Sequence, residues 1–301
     1  MKMIANKDTV HIFHKKMYEM LDLLIDFFDK HNLQWFADSG TLLGCVRDGK
    51  MIDWDNDSDI SMPIKDYVRF LELAEKEGLP GSLKICNSRV DKHSFKLNTT
   101  IVDANTTWFN TSSPYDTNDD FCKTFIASDL ETCIFIDIVG IEHVPEKHSK
   151  FYKQYINWTN FMQDYLCYRW KHPEMTKTLT HEKSKALHDM YISTLLQIDE
   201  AYNDSEYVSV HNNVPITLYE DLQFKADWFK SYELRQFGTM KHKLRIPVGY
   251  ANILMLTYGD DWTTEKHETH VGSIPYGFIF DVDKHEKFAT IEDVRQYLYG
   301  K

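Results

Sequence analysis

Apolar side chains at Val10, Phe13, Met17, Met20, Leu21, Leu24, Ile25 and Phe28 recur every three or four positions, the period that turns one face of an α-helix toward a core. The spacing predicts a helix that ends near His31 and Asn32 and covers one side of a sheet. The next apolar run, Leu33 to Ala37, breaks at Asp38-Ser39-Gly40-Thr41 into a second helix through Leu42, Leu43 and Val46. After the Gly49-Lys50 turn, Met51 to Met62 reads as a strand whose core, Asp57 to Met62, alternates polar and apolar side chains. Pro63 ends it, and Tyr67, Phe70, Leu71 and Ala74 predict a helix up to Gly78. Leu83 to Cys86, Phe95 to Val102 and Thr132 to Val139 are short, β-branched or aromatic, and bounded by polar turns, as strands are. Asn105 to Asp120 reads as a polar loop.

Helical periodicity returns at Phe151, Tyr155, Trp158, Met162, Tyr165 and Leu166, and again from Leu187 through Met190, Tyr191, Leu195 and Ile198, two helices expected to pack on each other. Ile253 to Tyr258, stopped by Gly259, and Ile291 to Tyr299 predict two more. The aromatic stripe Tyr155, Trp158, Tyr165, Tyr168 and Trp170 falls at helical spacing and reads mostly as packing, with the lining of an acceptor groove as the alternative. A mixed sheet with helices followed by a helix-rich second half is an α+β architecture. Residues 1–145 are expected to form the core and 146–301 a helix-rich region packed on it.

At 301 residues, 43% hydrophobic and 14% aromatic, the chain is long enough and apolar enough for a substantial core. Its 46 acidic residues against 34 basic ones leave a formal charge of −12, which disfavours phosphate backbones and anionic membrane surfaces as partners. No nucleic-acid partner is expected. The five cysteines, Cys45, Cys86, Cys122, Cys133 and Cys167, are widely spaced with no CxxC pair, and are expected as buried free thiols. The first residues lack the apolar stretch of a secretory signal, and no apolar run approaches the roughly 20 residues of a membrane helix. A cytoplasmic protein with no integral membrane segment is the expectation.

The strongest local feature is Trp54-Asp55-Asn56-Asp57-Ser58-Asp59, which sets four oxygen-bearing side chains, Asp55, Asn56, Asp57 and Asp59, where the chain enters an apolar run. Hard divalent cations take such oxygens, and in a strand Asp57 and Asp59 would emerge on one face. A solvated, self-capping turn is the alternative; an EF-hand is not, because no Gly and Glu follow at the required offsets. Asp137 lies inside Ile134-Phe135-Ile136-Asp137-Ile138-Val139, and a carboxylate buried there needs a partner. A cation shared with Asp57 and Asp59 would supply one; an outward-facing strand end would remove the need. Gly40 and Thr41 join a strand to a helix, where close backbone approach and free N–H groups can seat a phosphate, although a capped turn explains them equally. Arg47 would add a fixed cation. His267-Glu268-Thr269-His270 lacks a third ligand nearby and reads as a polar segment.

Gly40-Thr41-Leu42-Leu43-Gly44-Cys45-Val46-Arg47, followed by Ile52-Asp53-Trp54-Asp55-Asn56-Asp57-Ser58-Asp59-Ile60, resembles the signature of the LicD family. Phe95-Lys96-Leu97 resembles the family's strand lysine, and Ile134-Phe135-Ile136-Asp137-Ile138 its third-carboxylate strand. Ile246-Pro247-Val248 and Leu256-Thr257-Tyr258-Gly259-Asp260-Asp261-Trp262 resemble its C-terminal motifs. The resemblance covers about residues 33–140 and 224–272, with the helical stretch between them poorly matched. Asp53 stands where the family has proline, Lys50-Met51 where Gly-Phe is usual, Asn56 for an aspartate, and Ser58 for an apolar residue.

The resemblance implies a nucleotidyltransferase-like mixed sheet flanked by helices. It also implies transfer of a phospho-alcohol from a CDP-alcohol, CDP-choline above others, to a hydroxyl of a glycan or glycolipid such as lipopolysaccharide, teichoic acid or capsule, with release of CMP. Related fukutin-type enzymes use ribitol phosphate. On this reading Asp57 and Asp59 are ligands of Mg²⁺, or of Mn²⁺ in its place, and Asp137 is a third ligand or the base that takes the hydroxyl proton. Gly40, Thr41, Arg47 and Lys96 would hold phosphate, with Lys96 equally readable as a solvated strand lysine. Trp54 would stack on a base or a quaternary ammonium, or else pack in the core. Nucleotide transfer to a small molecule and a non-catalytic binding protein are the alternatives.

Overall fold

The computed structural model describes residues 1–94, 96–111, 126–167, 178–210, 223–264 and 276–300, the side chains of 163–167 excepted. β1 (Met3–Ile4) leads into α1 (Val10–Lys30), whose Phe13, Met17, Leu21, Leu24 and Phe28 are fully buried at the predicted spacing. β2 (Phe36–Ala37), α2 (Ser39–Arg47), β3 (Asp59–Pro63) and α3 (Ile64–Glu77) follow. Pro63, with its φ fixed, turns the end of β3 directly into α3. β4 (Leu83–Cys86), β5 (Thr99–Asp103), β6 (Thr107–Asn110) and β7 (Phe135–His143) complete the first half.

The main sheet runs β2-β3-β7-β5-β4. β3 and β7 are parallel, and the other pairings along this path are antiparallel. β8 (Tyr207–Val210) pairs with the far end of β7 and with β9 (Phe224–Lys225), so strands from the second half extend the same sheet. α4 (Lys150–Cys167) and α5 (His181–Ala201) pack on each other as expected, with Trp158 stacked on Tyr191 at 5.4 Å between ring centroids. Trp158 of the aromatic stripe is packing, and so is Tyr155, whose buried hydroxyl donates to Glu142 at 2.6 Å. Tyr168 and Trp170, and the side chain of Tyr165, lie outside the described residues.

Three readings of the sequence are corrected. The polar stretch after Asn105 contains β6, because Phe109 and its neighbours pair with β12 (Phe278–Asp281), which also pairs with β1. The strand expected from Met51 starts only at Asp59, since the preceding segment folds back through an Asp55 N–H to Ile52 carbonyl bond. The strand expected from Phe95 starts at Thr99, because the Lys96 carbonyl bonds back to the Ser88 N–H and holds that segment as a loop.

The hairpin of β10 (Tyr232–Gln236) and β11 (Lys243–Pro247) is fastened to the core by Arg245. Its guanidinium lies over the Trp35 and Tyr232 rings and donates to the Leu33 carbonyl and to Asp29. α6 (Tyr250–Tyr258) packs beside α2, and α7 (Ile291–Tyr299) closes the chain with a Thr290–Asp293 capping box. Cys45, Cys86 and Cys133 are buried free thiols as expected; the side chains of Cys122 and Cys167 lie outside the described residues. Among the described residues no helix is long and apolar enough to cross a membrane.

Candidate active site

Backbone register creates the site. Asp59 on β3 stands opposite Asp137 on β7, and Thr100 on β5 stands opposite Asp137 from the other side, so the three form one row across adjacent strands. Neighbours at equal register project to the same face. Asp57, arriving from the segment before β3, joins them: Asp57, Asp59 and Asp137 each offer a carboxylate oxygen within 4.8 Å of the others. Asp59 and Asp137 are buried, and Asp57 is half-buried at the rim. Asp137 is therefore not an outward-facing strand end.

The row is tied in place mostly through the main chain. The Asp137 N–H donates to the Ser58 carbonyl at 2.8 Å, the Asp38 N–H to the Asp59 carbonyl at 3.1 Å, and the Asp59 N–H to Thr41 Oγ1 at 2.9 Å. Thr100 Oγ1 donates to Asp137 Oδ1 at 2.6 Å and fixes that carboxylate. Thr41 thus serves as an anchor for the acidic strand, whatever it does for a ligand.

The electrostatics show crowded acid. Burial, reinforced by Asp137, pushes the Asp57 carboxyl up to about 6, while the Lys96 charge pulls the other way. Burial, then Asp57 and Asp137, holds Asp59 well above the ordinary carboxylate range, and burial with Asp57 does the same to Asp55. Such a cluster carries excess negative charge, and an all-oxygen anionic donor set drawn to one point fits a hard divalent cation. Among the described residues it is the one group of acidic, histidine or cysteine side chains arranged to hold a metal.

The turn ahead of α2 is built by Asp38, whose carboxylate caps the Ser39 N–H at 2.8 Å while Ser39 takes a positive φ of 45°. Burial pushes the Asp38 carboxyl up to about 6. A β-carbon on Gly40 would stand 2.8 Å from Asp55 Oδ2, so the glycine makes room for that carboxylate beside the start of α2. His14 Nε2 meets the Asp55 carbonyl at 3.1 Å and steadies the same loop. One turn on, a β-carbon at Gly44 would stand 2.6 Å from the Lys50 carbonyl oxygen, which lets α2 lie against the returning chain.

The cations sit at the edges. Arg47 makes a two-pronged pair with Asp48, Nε to Oδ1 at 2.8 Å and Nη2 to Oδ2 at 2.7 Å, and its field reaches Asp55. Lys96 is not a solvated lysine: its side chain is 12% exposed, with Nζ 3.7 Å from Glu131 Oε2 and 4.5 Å from the centre of the Phe135 ring. Burial pulls its pKa down, but Glu131 and Asp137 together hold it above the usual lysine value. Trp54 is half-buried and packs against the core. His267, Glu268 and His270 lie outside the described residues, as does Phe95.

Three contributors went unassigned in the sequence. Thr100 needs the β5–β7 register to be seen, and Glu131 needs the fold of the segment before β7. Asp38 was visible in Asp38-Ser39-Gly40-Thr41 as a capping residue ahead of a helix, a signal that points to it directly.

No curated protein matches the chain. The family model described as LicD/FKTN/FKRP, nucleotidyltransferase domain, matches residues 32–247, which includes the helical stretch where motif resemblance is thin and stops at the end of β11. The acidic row, the Gly-Thr turn and Lys96 all lie within that span, and this chain belongs to the LicD/FKTN/FKRP nucleotidyltransferase-domain family.

Proposed function

We propose that this protein is a divalent-metal-dependent transferase that moves a phospho-alcohol, phosphocholine from CDP-choline above others, to a hydroxyl of a cell-surface glycan or glycolipid and releases CMP. The observation that carries this reading is the convergence of Asp57, Asp59 and Asp137 to within 4.8 Å beside the Gly40-Thr41 turn. In the reaction an acceptor oxygen forms a bond to phosphorus, the bond from phosphorus to the CMP oxygen breaks, and the hydroxyl proton leaves. A bound Mg²⁺ or Mn²⁺ would neutralise the negative charge that grows on the diphosphate oxygens.

Asp57 and Asp59 would hold that ion. Thr100 fixes Asp137 in one orientation, which suits a third ligand better than a proton carrier that must turn toward its substrate. Lys96, buried with its ammonium over the ring of Phe135, two positions before Asp137, would bind a phosphate oxygen of the donor. Arg47 would do so from the α2 side once the donor competes with Asp48. Gly40 and Thr41 would set the start of α2 against the donor's diphosphate.

The family description names nucleotidyl transfer, which favours a second reading: transfer of a nucleoside monophosphate to a small molecule or sugar. One assay separates them. Purified protein with Mg²⁺ and a panel of CDP-alcohols should release CMP, and Asp59→Ala should not. Pyrophosphate release from a nucleoside triphosphate, with no CMP from any CDP-alcohol, would replace the first reading by the second.

A further inference from the structure

Lys96 is a buried cation beside the acidic row, and the chain fixes it at two ends by different means. Its main chain is clamped from behind: the Lys96 carbonyl accepts from the Ser88 N–H at 2.9 Å, and the Lys96 N–H donates to Ser94 Oγ at 3.3 Å. Ser88 is in turn gripped by α5, where Ser184 Oγ donates to its carbonyl at 2.6 Å and His188 Nδ1 meets its hydroxyl at 3.0 Å. These bonds anchor the root of the side chain. Its tip lies over Phe135, two positions before Asp137 on β7, so the ammonium and the acidic row share one face of that strand.

Glu131 sits in the short 3-10 turn Asp129–Thr132 ahead of β7, with its side chain 1% exposed. Its Oε2 lies 3.7 Å from Lys96 Nζ, and its Oε1 has no hydrogen-bond partner among the described residues. A carboxylate buried so deeply with half of its capacity unused is costly to the fold by itself. Among the described residues its charge is balanced by the Lys96 ammonium. Were that ammonium to swing into the row, it would neutralise the carboxylates that a divalent cation needs, since unit charges a few ångströms apart compete strongly for one counter-ion.

Resting on the reading above, we propose that Glu131 is a positioning residue: it holds the Lys96 ammonium beside the Asp57–Asp59–Asp137 row and out of it, so that the row stays open to a metal ion while the lysine stays within reach of the donor phosphate. Phe135 completes the holder by offering its ring face to Nζ at 4.5 Å. Its own ring is braced edge-on by Trp108 at 4.9 Å.

The test is a double-mutant cycle read by calorimetric titration with Mg²⁺ and with Mn²⁺ on the full chain, alongside CMP release. Glu131→Gln should weaken metal binding about tenfold and raise the donor KM with a smaller change in kcat. In the Lys96→Met background, where no ammonium is left to stray, the same Glu131→Gln change should alter metal binding less than about twofold. Equal weakening in both backgrounds would overturn the proposal, as would no weakening in either, because the first is a through-space charge effect and the second no effect at all. Glu131→Asp keeps the charge on a shorter arm and should fall between wild type and Glu131→Gln, so a folding defect in the amide variant does not end the test. Wild-type protein that binds neither ion would instead sink the metal-dependent reading itself.

Discussion

Asp59 and Asp137 face each other because two parallel strands set them at one register, and main-chain bonds on either side keep them there. Arg47 and Lys96 are held at their charged ends through side chains instead: Asp48 pairs with one, and Glu131 and the Phe135 ring hold the other. Acidic and basic halves of the same site are thus secured by different physics. Register survives the loss of a side-chain charge, whereas a charge held through side-chain partners moves when a partner changes. Substitutions on the acidic side should separate chemistry from folding, and those on the basic side should not do so cleanly.

The sharpest form of that contrast is Asp137→Asn. The β3–β7 pairing does not need the charge, and its removal relieves Asp57 and Asp59, both pushed upward in part by Asp137. CMP release should fall by about a thousandfold, the scale of losing a group that stabilises developing charge. The melting temperature should hold or rise. A variant that loses activity only in proportion to lost folded protein would break the comparison on its acidic side.

Next in size is an acid sensitivity on the basic side. Burial lowers the His188 pKa from 6.5 to about 4, with Asp189 opposing and Arg89 and Lys185 assisting. The fold therefore favours neutral imidazole. Its contribution is present above pH 6.5, falls as pH drops below that value, and is gone below about 4, an integrated difference of roughly 3 kcal/mol. The carboxyls of Asp38 and Asp57, raised to about 6, work in the opposite direction. The quantity to measure is thus the difference in unfolding free energy between wild type and His188→Gln at pH 7 and pH 4.5. It should shrink by about 2 to 3 kcal/mol at the lower pH, and a pH-independent difference would show that His188 does not clasp Ser88 as a neutral group.

Thr100→Val probes the side-chain tether of the Asp137 carboxylate. It removes the 2.6 Å bond to Asp137 at nearly constant volume. Loss of one bond to a charged, buried acceptor should cost about 1.5 to 3 kcal/mol of stability. CMP release should fall about tenfold as Asp137 gains freedom to turn, still far less than Asp137→Asn. An activity loss as large as that of Asp137→Asn would mean that Thr100 itself meets the reacting atoms.

The same contrast explains what could be read in advance. Helix α1 was legible because eight apolar positions kept one period, and the acidic row because Asp57, Asp59 and Asp137 stood out in or beside apolar strands. A buried carboxylate in such a strand announces a partner by its cost. Thr100 and Glu131 gave no such sign, since a threonine is ordinary in a strand and a glutamate in a turn. Their roles come from pairings 37 and 35 positions away in the chain, with Asp137 and Lys96 respectively. Gly40 was legible as a site of close approach, but the approaching group is Asp55 from the same chain.

The smallest effect tests the buried position just before β3, between two of the acids. Ser58 stands between Asp57 and Asp59, fully buried, and its hydroxyl has no partner among the described residues. Ser58→Ala removes an unsatisfied polar atom and leaves the strand register alone, so stability should rise by about 0.5 to 1 kcal/mol with CMP release unchanged. Urea unfolding would show it as a higher midpoint at constant slope. A loss of stability would mean that the hydroxyl has a bonded partner, and a loss of activity that register alone does not hold the acids, which is the premise of the whole contrast.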